Sequence, residues 1–518
     1  MLACLLITSL GAGPIAKRPQ LDKLPHNRTE LAKRIALLIE NSPAVQRGEI
    51  GYKFVDLETG ETVAECNPAK FYSPASNTKL YTTAMAMVRL GPNYKFQTEL
   101  RTREAWQPGQ TAISDLELIG GGDPNLSGRV LPYQPDSIGG DPLRAIDELA
   151  DKLAATGIHE VDGDVIGVST RYPGELYPDG WTIDDSLYSY GAPVSALTVN
   201  DNTISIGLRP TGPGDLAEIE LRPALNHFVI LNEVVADSSN TADIHIARTP
   251  GSNEIVLWGT LGQNTPPPDE HRVTDMPGVL WREDLAMDDP ALFAAEALCN
   301  ALRDRGIFVR GGARADYRAL SEAQAGASEA DGTLLAVHES APLWEAIQVI
   351  DKVSQNLHAE MLFREVAQVT RGIGTIEAAR EERRGFLGEI GITPDGSGLA
   401  LDDGSGLARQ DLTTPESTVA LLRYMWQRPD REIWLQSLPI GAVDGTLEHR
   451  LQGIPGADHI HAKTGSLSHV HTLSGYIETE PQKWLAFSVM VNATVGHSAD
   501  VLDFIDHLCA LFLERYTR

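Results

Sequence analysis

Three short motifs in a fixed order constrain this chain more than any bulk property: Ser76-Asn77-Thr78-Lys79, Ser354-Gln355-Asn356 and Lys463-Thr464-Gly465. The first opens a helical stripe of Leu80, Ala84, Met87 and Val88 that Gly91-Pro92 ends. Positions i and i+3 share a helix face, so the Lys79 amine can approach the Ser76 hydroxyl. Serine needs such a base to be a nucleophile, and a lysine serves only if burial or a neighbouring cation lowers its pKa. In isolation, a helix-capping serine with an exposed lysine explains the motif equally well. Ser354 and Asn356 lie between the apolar-periodic stretches Leu343/Ile347/Ile350 and Leu357/Met361/Val366. A hydroxyl and a carboxamide at such a helix junction can relay a proton and hold a substrate amide, or simply satisfy each other in a corner. The similar Ser238-Ser239-Asn240 sits in a polar turn and reads as turn chemistry. Lys463 falls in a strand-like run, where it can bind a carboxylate and depress the pKa of Lys79. Gly465 permits close approach of another backbone, and the N–H of Ser466 can join that of Ser76 as an oxyanion hole. Alone, this tripeptide also suits a solvated turn.

The spacing of the motifs sets the organisation. Between Lys79 and Ser354 lie 274 of the 518 residues. Helical periodicity is found at 27–41, 341–370, 375–389, 415–427 and 498–516, and strand-like patterning at 49–65, 458–478 and 483–492. From about 94 to 335 short β-like runs alternate with Gly/Pro/Asp turns, with one good helix at 290–305 and a polar linker at 322–332. The opening Leu2–Gly13 resembles the apolar core of a secretory signal, so 1–24 is expected to be a leader, although the usual basic stretch before it is missing. Leu2-Ala3-Cys4 also ends like a lipoprotein box.

The ordered triple resembles the signature of penicillin-recognising serine enzymes. Within them the chain is similar to the low-molecular-mass class C penicillin-binding proteins, the D-alanyl-D-alanine carboxypeptidase/endopeptidases, whose mark is a large insertion between SxxK and SxN. GGGDPNLSG (120–128), GWTIDDSLYSYGAP (180–193), DGSGLAR (403–409) and KTGSL (463–467) extend the likeness. The resemblance implies an α/β (α+β) transpeptidase/β-lactamase-like catalytic domain built from 25–93 and 336–518. It further implies an inserted domain II at 94–196 and 266–335, with a nested β-rich domain III at 197–265. It implies Ser76 as acylated nucleophile, Lys79 as its base, and Ser354 and Asn356 as relay and substrate holder. Lys463, Thr464, Gly465 and Ser466 would bind the terminal carboxylate and the reacting carbonyl. Asp185 falls where the family places an acid that meets a stem-peptide amine, with Asp184 adjoining; a turn cap within the insertion is the other reading of Asp185. Substrates would be peptidoglycan D-Ala-D-Ala termini or D-Ala cross-links, β-lactams covalent inhibitors, and the location the periplasm or cell envelope. No cofactor is implied, and oligomeric state is left open.

Composition narrows the alternatives. Lys and Arg total 43 against 71 Asp and Glu, a net charge of −28, which argues against a nucleic-acid partner. No run of eighteen apolar residues occurs, so no ordinary membrane span is expected. Four scattered cysteines make neither a zinc signature nor a disulfide framework, though one disulfide is possible. His459, His461, His469 and His471 bracket the KTG motif and are expected to flank the site rather than bind metal. A β-lactamase would share the motifs, but no ExxLN occurs. An esterase or amidase on the same fold and a non-catalytic peptidoglycan-binding module are the other rivals, and the latter would lack Ser76 or Lys79.

Overall fold

In the computed structural model, residues 26–135, 139–267, 276–317, 332–392 and 399–516 are described. The expected leader and nearly all of the polar stretch at 322–332 lie outside them. Both ends of the chain build one antiparallel sheet. Its strands run in the order Ile460–Leu467, Val470–Glu480, Lys483–Asn492, Glu49–Asp56, Thr62–Cys66. The strand-like run at 458–478 is thus a hairpin, with Leu467 paired to Val470 and His469 in a left-handed conformation (φ 67°). No Gly, Asn or Pro marks that turn, so periodicity alone ran through it.

Alternate residues of the sheet face two cores. Phe54 and Phe487 point to the layer made by helices His26–Glu40 and Ser498–Tyr516, where Phe54 stacks on Phe487 at 5.4 Å and on Phe512 at 3.8 Å. Val55 and Ala486 point to the other layer, which holds the nucleophile helix Thr78–Arg89 and helices Asn356–Arg371, Ile376–Glu389 and Pro415–Trp426. The nucleophile helix is buried on all sides from Thr78 to Met87, not only along its apolar stripe. Its hydroxyls are satisfied internally: Thr82 Oγ1 donates to Gly404 O (2.6 Å) and Thr83 Oγ1 to Lys79 O (2.8 Å).

The inserted residues carry several small sheets. Five strands, Ala313–Asp316, Val165–Val168, Leu116–Ile119, Gln97–Thr102 and Thr333–Glu339, form one of them. Helix Pro290–Asp304 packs into the same core, and Asp289 caps it by accepting from Leu292 N (3.0 Å). A second helix, Arg144–Ala154, was not foreseen. Ala145, Ile146, Leu149, Ala150 and Leu153 keep helical spacing, but no side chain caps its start. A three-stranded sheet joins Val229–Asp237, Glu254–Gly262 and Ala242–Arg248. Strand Trp281–Ala286, which the sequence grouped with 266–335, pairs instead with Thr203–Arg209 of the nested stretch. Among the described residues no helix is long and apolar enough to cross a membrane. Cys66, Cys299 and Cys509 are free thiols, and Cys4 lies outside the described residues.

Candidate active site

Ser76 sits in a single helical turn, Ala75–Asn77, that leads directly into the buried helix beginning at Thr78. Ala75 takes a left-handed φ of 47°, and Gly406 (φ 83°) packs so closely on Ala75 O that any Cβ there would clash. Ser76 is therefore wedged between the 403–408 loop and the KTG strand.

The Lys79 amine points back at Ser76. It donates to Ser76 Oγ (3.0 Å), to Asn356 Oδ1 (2.6 Å) and to Ser405 O (2.8 Å). The Lys463 amine donates to Ser354 Oγ (2.8 Å) and to Thr464 O (2.9 Å). Five residues from three motifs, up to 387 positions apart in sequence, thus meet in two polar clusters, one around each lysine. Ser354 ends a π-helical turn, Val349–Val353, in a left-handed conformation, which breaks the helix and turns its hydroxyl to the lysine. Asn77 Nδ2 donates to Lys463 O (3.0 Å) and pins the strand to the nucleophile turn.

The KTG strand is the free edge of the sheet. A Cβ on Gly465 would lie 2.7 Å from Pro74 O and 3.1 Å from Ser76 N, so only glycine allows the strand this close. Ala462 N–H leaves the ladder for Pro439 O (2.9 Å). With the period of two, Ser466 N–H points off the same edge, and Ser466 itself is exposed. Thr464 Oγ1 donates to Thr446 Oγ1 (2.7 Å).

Burial sets the electrostatics. The Lys79 and Lys463 side chains are wholly buried, and the loss of water pushes Lys79 down to about 8 despite the opposing fields of Asp403, Glu360 and Asp351. Lys463 is driven well below the ordinary lysine range by burial and then by repulsion from Lys79. Burial raises Glu360 to about 7, and it raises Asp351 as well.

Sequence reasoning used DGSGLAR only as a likeness, but the structure makes it part of the site. The Asp403 carboxylate accepts from Gly406 N (2.6 Å), Ala408 N (2.8 Å) and Trp181 Nε1 (2.9 Å), and that fold presents Ser405 O to Lys79. The inserted residues also reach the site. Asn356 Nδ2 donates to Tyr190 O (2.7 Å), which orients its oxygen toward Lys79.

Asp185 takes part in its own turn. It is buried, its carboxylate accepts from Thr182 N (2.8 Å) as a turn cap, and Arg409 lies 3.6 Å away. The turn therefore uses this carboxylate itself, and it is the adjoining Asp184 that is exposed. The histidines around KTG serve separate local contacts. His459 meets Glu478 (3.2 Å), His469 meets Thr494 O (2.7 Å), and His461 packs on Trp484. No group of His, Cys, Asp or Glu suited to a metal is found among the described residues.

A half-buried serine beside a buried lysine at a helix start, answered by a Ser-x-Asn corner and a lysine on a sheet edge, fits a serine hydrolase of the transpeptidase/β-lactamase fold. A profile of the D-Ala-D-Ala carboxypeptidase 3 (S13) family matches residues 31–512. The chain is 32% identical over 528 residues to the D-alanyl-D-alanine carboxypeptidase of Actinomadura sp. (strain R39), covering 98% of this chain and 88% of that protein. It is 25% identical to D-alanyl-D-alanine carboxypeptidase DacB of Haemophilus influenzae, covering 88% of this chain and 87% of that protein. The crystal structure of penicillin binding protein 4 from Haemophilus influenzae shares the fold, with a TM-score of 0.76 at 22% identity over 92% of this chain and 99% of that chain. This chain belongs to the D-Ala-D-Ala carboxypeptidase 3 (S13) family, and it is a serine-type D-Ala-D-Ala carboxypeptidase.

Proposed function

We propose that the enzyme cleaves D-Ala-D-Ala termini of peptidoglycan through an acyl-enzyme on Ser76. The observation that carries this reading is the 3.0 Å contact from a buried Lys79, its pKa lowered by burial to about 8, to Ser76 Oγ. Lys79 takes the Ser76 proton as Oγ attacks the penultimate carbonyl, and the N–H groups of Ser76 and Ser466 receive the oxyanion. The scissile C–N bond breaks, and the departing D-Ala amine takes a proton from Lys79, with Ser354 and Asn356 completing the relay. Water then attacks the ester and returns the proton to Ser76. Lys463, Thr464 and Ser466 hold the terminal carboxylate of the peptide, and penicillin would occupy the same positions with its own carboxylate. The same machinery extends in this reading to D-Ala cross-links. The inserted modules act as domains II and III that bring the Trp181 turn over the cleft, where Asp184 or Asp185 meets a stem-peptide amine. Export to the periplasm or cell envelope goes with a substrate that lies there.

The test is intact-mass analysis after incubation with penicillin. Wild type should gain one penicillin mass and Ser76→Ala none. A covalent adduct on Ser76→Ala would overturn the assignment.

A further inference from the structure

A cavity of about 520 Å³ lies toward the end of the main sheet away from Ser76, and no step of the acylation uses it. Its size is that of a small-molecule site, about 300–1,000 Å³. Two indole rings form it. Trp426 ends helix Pro415–Trp426, Trp484 lies at the start of strand Lys483–Asn492, and their ring centres stand 5.1 Å apart. Each ring is braced by a neighbour: Trp484 packs on His461 of the KTG strand (5.7 Å), and Trp426 on Tyr476 (5.3 Å). The rest of the lining is polar. Glu58 follows strand Glu49–Asp56, Arg431 and Glu432 open helix Arg431–Ser437, and Glu478 and Gln482 flank the turn before Trp484. Some of these groups are engaged. Arg431 lies over the Trp426 ring (5.1 Å) and pairs with Glu432 (3.2 Å), while Glu478 accepts from Gln482 N (3.0 Å) and meets His459 (3.2 Å). Others are not. The carboxylate of Glu58, the carboxamide of Gln482 and the N–H groups of both indoles make no hydrogen bond among the described residues.

That set of groups matches the chemistry of a sugar. A hexosamine offers flat C–H faces to the negative faces of aromatic rings, hydroxyls that both donate and accept, and an acetamido group that pairs with an N–H donor and with a carboxylate. An anionic peptide would meet three acids against one arginine in this cavity, an unfavourable field. A cation would find the face of Trp426 already taken by Arg431. We infer that the Trp426–Trp484 cavity is a glycan-binding site, which takes an N-acetylated sugar of the polymer whose stem peptides enter the Ser76 cleft. The inference rests on the peptidoglycan reading above. Glu478 lies four residues along its strand from Ser474, the partner of Lys463, a rise of roughly 13 Å. The site therefore holds the polymer beside the cleft without touching the reacting groups. It lengthens the stay of the enzyme on the wall and leaves the chemistry on a small peptide as it is.

The test is calorimetric titration of the full-length protein with a tetramer of N-acetylglucosamine, a sugar that carries no peptide, so that acylation does not enter. Saturable binding is expected, weakened about tenfold by Trp484→Ala. Glu58→Ala combined with Gln482→Ala changes only exposed side chains, and it should weaken binding even if the Trp484 variant does not fold. The same variants should raise KM on intact peptidoglycan severalfold with kcat unchanged, and should leave both constants as they are on a sugar-free peptide ending in D-Ala-D-Ala. Absence of tetramer binding by wild type, or equal binding by the folded variants, would overturn the inference. So would binding of a diamine such as cadaverine in place of the sugar. Failure of the peptidoglycan reading itself would show separately, as no release of D-Ala from the sugar-free peptide by wild type.

Discussion

Lys79 carries the pH dependence at the level of single residues. Its amine accepts a proton only when neutral, and burial brings its pKa down to about 8. The second-order rate of penicillin acylation should therefore rise roughly tenfold per pH unit below that value and flatten above it. A rate independent of pH on the acid side would mean that another group is the base. The two acids of the Trp181 turn separate in the same way. Asp185 caps the turn and Asp184 is exposed, so the two should respond differently to substrate. Asp184→Asn should lower kcat/KM on peptides with a free side-chain amine by about tenfold to a hundredfold, the value of one charge-assisted contact. Acetylating that amine should erase the difference. Asp185→Asn should instead lower the melting temperature with no preference for the amine. An amine-dependent loss in Asp185→Asn alone would restore the assignment made from sequence. Both roles of Asp185 were legible as alternatives, but the choice between them was not, because a capping bond forms only once the turn exists.

At the scale of elements, the corner that presents Asn356 is held by a residue of the insertion. Asn200, Asp201 and Asn202 all take left-handed φ values of 50°, 55° and 53°, which Asn and Asp tolerate best. That turn aims the Asp201 carboxylate at Arg129 (2.8 and 3.1 Å), at Gln355 Nε2 (3.0 Å) and at His358 Nε2 (2.8 Å). Arg129 and His358 hold Asp201 far below the usual carboxylate range. The middle residue of Ser354-Gln355-Asn356, for which the motif prescribes nothing, thus ties the corner to the insertion. Asp201→Ala leaves Arg129 without its counter-charge, and it should cost about 3 kcal/mol of stability, read as a lower melting temperature. It should also reduce kcat, since Gln355 adjoins Asn356. Unchanged melting would show that the network is not structural. No periodicity or spacing announces this link, which joins residues 154 positions apart.

At the scale of the whole molecule, the inserted modules are bound to the catalytic domain by buried polar contacts rather than by linkers alone. The Glu365 carboxylate, wholly buried, accepts from Arg171 (2.9 and 2.7 Å), from Tyr172 (2.8 Å) and from Tyr94 (2.5 Å). Arg364 donates to Glu175 O (2.8 Å), and Trp181 reaches Asp403. Breaking such contacts in one module exposes unpaired charge in the other, which couples their unfolding. Calorimetry should therefore show one main transition, with Glu365→Ala lowering it or splitting it in two. Two separate transitions already in wild type would mean that these contacts do not couple the modules.

The sequence by itself determined which candidate groups are present. Ser76, Lys79, Ser354, Asn356 and Lys463 belong to short local motifs, and helix and strand periods place their side chains without reference to the rest of the chain. The same periods made most helices and the strand runs of the main sheet legible, though not the turn between Leu467 and Val470. Tertiary structure alone decided what surrounds those residues: Ser405 O on Lys79, the carboxyls of Asp351, Glu360 and Asp403 behind it, Tyr190 O on Asn356, and the closing of Asp185 into its own turn. The reason is physical. A motif specifies which groups are present, but a lysine becomes a base only through the water it loses and the charges brought near it. Those come from segments that are hundreds of residues apart until the chain folds.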